Sequence, residues 1–328
     1  MRVSTTTRGV IALAAAAFGG AAIAQQAPAT EEPFQAGQPL GVLADGAFTP
    51  MSPNVKVYGA IVSAESCVYD PERRLIMVIN RGAAQREAPN DGFVSLLHPD
   101  GSVHTAKWIG ATRAGLMLNQ PFGSDIHDGT LYLADSDGDT IEGAPRVAVL
   151  RMFDLASGAS TGAVTIEDSP WFNDIAVAND GTIYATQTGT VDGQVPMRLY
   201  RVTPEGAATV LAEGPPLASP NGVALDGDSN VVVVNMGTRD ILTFEPSGAL
   251  LKVEQAAQAG NDGLVIMPDG TRYISSVREG GLQRMRPGAA AELIATGIPS
   301  AASMCFDSDT NQLVIPLNQN NAVAIVKL

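Results

Sequence analysis

The sequence predicts an all-β protein, a six-bladed β-propeller with four-stranded antiparallel blades. Three observations predict it. A unit of anchor residue, apolar strand, tight turn and second strand returns six times along the chain. The units recur roughly every 40–60 residues, the period of propeller blades. Apolar residues inside each unit alternate with a period of two, where helical repeats of similar length would show 3.6. The composition agrees. Hydrophobic residues at 45% supply a sizeable core, and 16% charged residues with 34 glycines and 21 prolines suit a turn-dense β chain.

The first segment, residues 1–24, reads as a secretory signal. Arg2 and Arg8 give a positive start, Gly9 to Ala24 is an apolar run, and Ala22-Ile23-Ala24 offers a small-residue cleavage site. The run is too short and too rich in Ala and Gly to be comfortable as a membrane anchor. Residues 25–53 read as a polar leader and linker, and the propeller is expected over residues 54–328. The expected mature protein is exported to the periplasm or beyond. Its formal charge of −14 becomes more negative when the signal is removed, which disfavours nucleic acid and membrane surfaces as partners.

Within the propeller region the clearest units are NDIAVANDGTIYAT from Asn173, NGVALDGDSNVVVVN from Asn221 and DGLVIMPDGTRYIS from Asp262. Weaker copies start at Glu65, Ser124 and Ala302. Asp180-Gly181 and Asp269-Gly270 suit tight hairpins between the first two strands. Outer hairpins turn at Pro99-Asp100-Gly101, Pro204-Glu205-Gly206 and Pro246-Ser247-Gly248. Only three strands remain after Ala302. An unpaired candidate strand, Val55 to Ala64, is therefore expected to complete the last blade and close the ring, removing an exposed edge.

Inner strands of a propeller run parallel around the axis, so residues at one register face one another. The register just before each inner strand reads Glu65, Ser124, Asn173, Asn221, Asp262 and Ala302. A single Asn or Asp there is ordinarily a turn cap. Glu is not a turn residue, and two carboxylates with two amides at one level form a set of hard oxygen ligands. Such a set suits calcium, magnesium or manganese; zinc would lack its usual His and Cys ligands.

The remaining chemistry-bearing residues are few. Of three histidines, His98 and His104 flank an outer turn, leaving His127 to face the channel and contact substrate, or to serve as a blade residue. Cys67 and Cys305 fall on the inner strands of the first and last blades, neighbours in a closed ring. They are expected to form a disulfide or to remain two buried thiols. Asp135, Asp137 and Asp139 alternate with small residues and read as a second cation loop or, more simply, a solvated one. The loops at 81–90, 119–122, 136–145 and 188–195 are expected to shape substrate choice. No G-x-S-x-G elbow is present to support a serine nucleophile.

Glu65, Asn173-Asp174, Pro220-Asn221-Gly222 and Asp262-Gly263, in that order and spacing, resemble the gluconolactonase and regucalcin (senescence marker protein) family of six-bladed propellers. The resemblance covers about Asn54 to the C-terminus. It implies that Glu65, Asn221 and Asp262 bind one divalent metal directly, with Asn173 a more distant ligand touching metal-bound water or substrate. It also implies hydrolysis of a lactone or similar cyclic ester, with Asp262 as general base. Two positions depart from the family pattern. The usual Glu-Gly-Pro is Glu65-Ser66-Cys67, and an Arg of the sugar-lactone enzymes is Trp171. With Trp171 and Phe172 beside the site, the expected substrate is less polar than an aldonolactone; the pair is otherwise explained by loop packing. The alternatives are a non-catalytic exported binding or scaffolding propeller, or another enzyme on the same scaffold: an arylesterase, a phosphotriesterase or an isomerase.

Overall fold

The structure is a computed structural model that describes residues 41–44, 47–58, 61–84, 87–138 and 144–328. The expected signal segment, residues 1–24, lies outside the described residues, as does Asp139. Among the described residues, six four-stranded antiparallel sheets form a six-bladed propeller. Blade 1 comprises Ala64–Asp70, Leu75–Asn80, Phe93–Leu97 and Val103–Gly110. Blade 2 comprises Ser124–His127, Thr130–Asp137, Val147–Asp154 and Ser160–Ile166. Blade 3 is built from Ile175–Val177, Ile183–Gln187, Arg198–Val202 and Ala208–Glu213. Blade 4 holds Pro220–Leu225, Val231–Asn235, Asp240–Phe244 and Leu250–Gln255. Blade 5 holds Asn261–Ile266, Arg272–Ser276, Leu282–Met285 and Glu292–Ala295.

Blade 6 closes the ring as the sequence predicts. Its strands Cys305–Asp307, Gln312–Leu317 and Ala322–Lys327 are joined by Val55–Tyr58, which pairs antiparallel with the last of them. The closing strand is shorter than expected, because Ala64 already belongs to the inner strand of blade 1. The leader is also more structured than its composition suggested. Gly41–Ala44 and Ala47–Pro50 pair as a hairpin, and Ser52 then docks on blade 5, its amide donating to the Thr296 carbonyl at 2.9 Å. Strands of four residues are too short for their alternation to stand out in a polar stretch.

The core is divided among the seams between blades. Val231 and Val233 pack with Tyr184 and Leu199 of blade 3, whereas Val232 and Val234 pack with Leu264 and Ile274 of blade 5. Ile76 and Val78 likewise face blade 6, and Met77 and Ile79 face blade 2. A second strand buried on both faces reads as a continuous apolar run, which is why VVVV and LIMVI appear where an open sheet would alternate.

Candidate functional site

Three kinds of local interaction fix the start of each inner strand. The first is backbone approach between blades. A Cβ on Gly222 would lie 2.3 Å from the Asp262 carbonyl oxygen, and one on Gly263 would lie 2.7 Å from the Met304 nitrogen. These glycines let adjacent inner strands touch, so the Asn-Gly and Asp-Gly pairs at the strand starts are seams and not turns. The second is a hydroxyl on the second strand that holds the next blade's anchor. Thr186 donates to the Asn221 carbonyl at 2.5 Å, and Ser275 donates to the Ala302 carbonyl at 2.8 Å. The third is a buried polar side chain at the end of the second strand that grips the approaching chain. Asn80 accepts from the Val62 amide and Asn235 from the Ala218 amide, while Asp135 accepts from the amides of Asn119 and Gln120.

Strand pairing sets the level of each anchor. The inner-strand residue two past the anchor pairs with Val78, Leu133, Ala185, Val233 or Ile274 in blades 1 to 5. The ring at this level is therefore Glu65, Phe122, Asn173, Asn221, Asp262 and Ala302. The sequence reading placed Ser124 in blade 2. That assignment is two residues late, because the unit has a shortened turn and its anchor is aromatic. The same contact confirms the register in two seams: the Gly123 amide donates to the Asn173 carbonyl at 2.7 Å, and the Ser303 amide donates to the Glu65 carbonyl at 3.1 Å.

The polar anchors converge. Asn221 Nδ2 donates to Asp262 Oδ2 at 3.3 Å, and both residues are buried. Glu65, also buried, accepts from Asn318 Nδ2 at 3.2 Å, and its Oε2 lies 3.4 Å from Arg81 Nε. Asn173 is half-buried; its Nδ2 donates to Thr188 Oγ1 at 2.9 Å, and that hydroxyl is held by the Pro220 carbonyl. Among the described residues, three of the six buried side-chain oxygens that make no hydrogen bond lie here: Asn221 Oδ1, Asp262 Oδ1 and Asn318 Oδ1. Burial raises the Asp262 carboxyl well above the usual carboxylate range, and the charges of Glu65 and Asp174 raise it further against the pull of Arg81 and Asn221.

Asp174 sits directly behind this ring. Its position carries Ser66, Gly123, Gly222, Gly263 or Ser303 in the other blades. The carboxylate fits because Gly123 has no Cβ, which would lie 2.3 Å from Asp174 Oδ1. Its Oδ2 accepts from the Val223 amide at 3.1 Å. Burial is the main force pushing this carboxyl up to about 7, with the charges of Asp125 and Glu65 adding to it. Asp125, further along the channel, accepts from the Val177 amide at 2.7 Å and is pushed up by burial to about 6.

Other candidate residues are placed differently. Trp171 is half-buried beside the anchors, with the Arg146 guanidinium 4.9 Å from its ring centroid. Phe172 is a correction: it is 0% exposed and packs on Tyr200 in the seam between blades 2 and 3, where no ligand reaches it. His127 is a second correction. It ends the blade 2 inner strand, five residues beyond Phe122 and roughly 16 Å away at about 3.3 Å per residue, so it does not join the anchors. Cys67 and Cys305 are bonded to each other, joining blades 1 and 6. Asp135 and Asp137 form no cation loop; both bind the Arg151 guanidinium.

From sequence, Asn318 has no assigned role, Asp174 appears only as a motif residue, and Arg81, Phe122 and Thr188 appear only as members of the loops expected to shape substrate choice. Arg81, Thr188 and Asn318 all follow second strands of their blades, a register that the repeat itself would have exposed. Among the described residues no three His, Cys, Asp or Glu side chains are placed to hold a metal ion by themselves. The donor set is thus carboxylate and amide oxygen.

The model of the SMP-30/gluconolactonase/LRE-like region matches residues 59–317. The chain belongs to the SMP-30/gluconolactonase/LRE-like family. No curated protein sequence matches it. Solved structures similar to this family member include a gluconolactonase of Xanthomonas campestris, at 17% identity and a TM-score of 0.57 over 89% of this chain and 95% of that one. A calcium-binding protein, regucalcin, of Agrobacterium tumefaciens is similar at 17% identity and a TM-score of 0.56, over 82% and 90% of the two chains. Virginiamycin B lyase of Staphylococcus aureus is similar at 11% identity and a TM-score of 0.56, over 84% and 99%. At these identities the likeness is one of fold, and this SMP-30/gluconolactonase-type propeller is read functionally from its own site.

Proposed function

We propose that the protein is an exported, divalent-metal-dependent hydrolase that opens a lactone or similar cyclic ester. The observation that carries this reading is the pair of partnerless buried acceptors, Asn221 Oδ1 and Asp262 Oδ1, beside the Glu65 carboxylate. A buried acceptor without a donor costs about 1–3 kcal/mol, and a cation is the partner that would satisfy several acceptors at once. Glu65, Asn221 and Asp262 would hold the ion, with Asn173 at its edge. Hard oxygens of this kind fit calcium best, then magnesium or manganese, and zinc least. What sets these oxygens apart from the unpaired ones of Tyr69, Thr243 and Gln258 is that they stand at one level beside a buried carboxylate.

When bound, such an ion supplies Lewis-acid polarisation of the ester carbonyl. The chain's own residues do the rest. Asn318 and Arg81 hold Glu65 in place. Asn173, fixed through Thr188, offers its amide to the substrate or to water. The Asp262 carboxylate takes the proton of the attacking water and returns it to the ring oxygen as the acyl C–O bond breaks. The acidic surface and the expected signal support export and a small-molecule partner.

The test is calorimetric calcium titration together with a panel of sugar, aliphatic and aromatic lactones. Glu65→Gln and Asp262→Asn should each weaken calcium binding at least about tenfold, one carboxylate charge being worth more than ~1.4 kcal/mol at a buried ion. Both should abolish hydrolysis without unfolding the protein. Undiminished hydrolysis in either variant would remove this site from the reaction.

A further inference from the structure

The ring of anchors is polar on one side and aromatic on the other. Glu65, Asn173, Asn221 and Asp262 present oxygen, and Ala302 presents a methyl group. Blade 2, between Glu65 and Asn173, places half-buried Phe122 at the same register, its ring packed in part on the apolar cluster between blades 2 and 3. That residue is rigidly placed: its amide donates to the Ala134 carbonyl at 2.8 Å, and its carbonyl accepts from the Ser66 hydroxyl at 2.6 Å. The Arg81 guanidinium lies 5.6 Å from its ring centroid and the Arg146 guanidinium 5.7 Å. Arg146 is also 4.9 Å from the ring of Trp171, two residues before Asn173. Two aromatic rings are thus ordered by two guanidinium groups beside the oxygen ligands. Arg146 is itself anchored by Ser136 and Gln120, so the stack does not depend on a ligand to form.

We infer that Phe122 and Trp171 form an apolar wall that selects a lactone carrying an aryl or other flat apolar substituent, its carbonyl turned toward Glu65, Asn221 and Asp262. This rests on the lactonase reading for the chemistry and on the wall for the selectivity. A polyhydroxylated ring would lose hydration against the two aromatic rings, and the guanidinium groups stacked there are already engaged, Arg81 with Glu65 and Ser63 and Arg146 with Ser136 and Gln120. An aryl group would gain offset or edge-to-face contact with rings that are already immobile, so little ordering entropy is spent.

Binding of a lactam, which resists hydrolysis, separates this inference from the reaction. Trp108 and Trp171 are the chain's two tryptophans, so a Trp108→Phe background makes Trp171 the only indole reporter. The probes are 5-phenyl-2-pyrrolidinone and a polyhydroxylated lactam, titrated by fluorescence and calorimetry with and without calcium. The phenyl lactam should bind about tenfold tighter and quench Trp171. By calorimetry, Phe122→Ala and Trp171→Ala should each weaken it about tenfold and leave the hydroxylated lactam within about twofold. Phe122→Leu, which keeps the apolar volume for folding, should fall between. Equal binding of the two lactams, absence of phenyl-lactam binding, or unchanged affinity in folded variants would overturn the wall. Failure of the wild-type protein to hydrolyse any lactone would overturn the reaction, whatever the lactams do.

Discussion

A Cβ at Gly222 would meet backbone, the Asp262 carbonyl at 2.3 Å, and backbone cannot swing aside as a long side chain can. Gly222→Ala should therefore force the seam between blades 4 and 5 apart and lower stability by about 2–4 kcal/mol, read from urea denaturation. An exposed turn glycine such as Gly288, with open space around it, makes the control for position, although its φ of 73° adds its own strain. At the anchors, the proposed ion binding should depend on pH. The Asp262 carboxyl is held above its usual range by burial and by Glu65 and Asp174, and its protonated form is a poor ligand. Calcium affinity should rise with pH, and Asp262→Asn should remove most of that dependence in a calorimetric series. Glu65, Asn173, Asn221 and Asp262 were legible in the sequence because each occupies the same place in its own copy of a repeat. Phe122 was not, since an aromatic anchor in a shortened unit carries no polar flag. Arg81 of the same blade and Asn318 of blade 6 both contact Glu65; they share one register after the second strands, but that the two meet at Glu65 follows only from closing the ring.

At the scale of the strand, function depends on how the chain is delivered to the channel. Asn235 closes the second strand of blade 4, accepting from the Ala218 amide at 3.0 Å and donating to the Pro216 carbonyl at 3.2 Å. Asn235→Leu leaves both backbone groups without that partner. It should cost about 1–3 kcal/mol in chemical denaturation, with a larger loss of ion affinity than a surface variant of equal stability. Inner strands have a free edge toward the channel, and Asp125 and Asp174 satisfy amides there. Both carboxyls lie above their unfolded value, to about 6 and about 7, chiefly because burial disfavours the charged form. The folded state then holds more protons than the unfolded one between roughly pH 4 and 7. Their contribution to stability is present below the unfolded pKa and is lost as pH rises through the folded values. The melting temperature of chelator-treated protein should fall from pH 5 to pH 8, and Asp174→Asn should flatten the slope. The strands themselves were legible from period-two patterning and Asp-Gly turns. The hairpin at 41–50 was not, being two four-residue strands inside a polar segment.

For the whole molecule, stability is distributed over six seams, and the seam between blades 1 and 6 has a covalent link. Cys67 and Cys305 are separated by 238 residues. In the chain-entropy account a loop of that length is worth about 5 kcal/mol. Reduction, or a Cys67→Ser/Cys305→Ser double variant, should lower the denaturation midpoint accordingly; an unchanged midpoint would mean that the seam's apolar cluster closes the ring unaided. Ring closure was legible from arithmetic alone, because three strands after Ala302 leave one blade short by one. Blade 6 also joins early and late parts of the propeller sequence in one sheet, through Val55–Tyr58 and Ala322–Lys327. A ribosome or an export channel releases these strands at opposite ends of its work. Until Ala322–Lys327 has emerged, Val55–Tyr58 has no strand partner, so blade 6 is completed only after the chain has been made through that strand. A chain ending near residue 320 would lack the third strand of blade 6 and leave Val55–Tyr58 unpaired, so closure would rest on the Cys67–Cys305 bond and the apolar cluster around it.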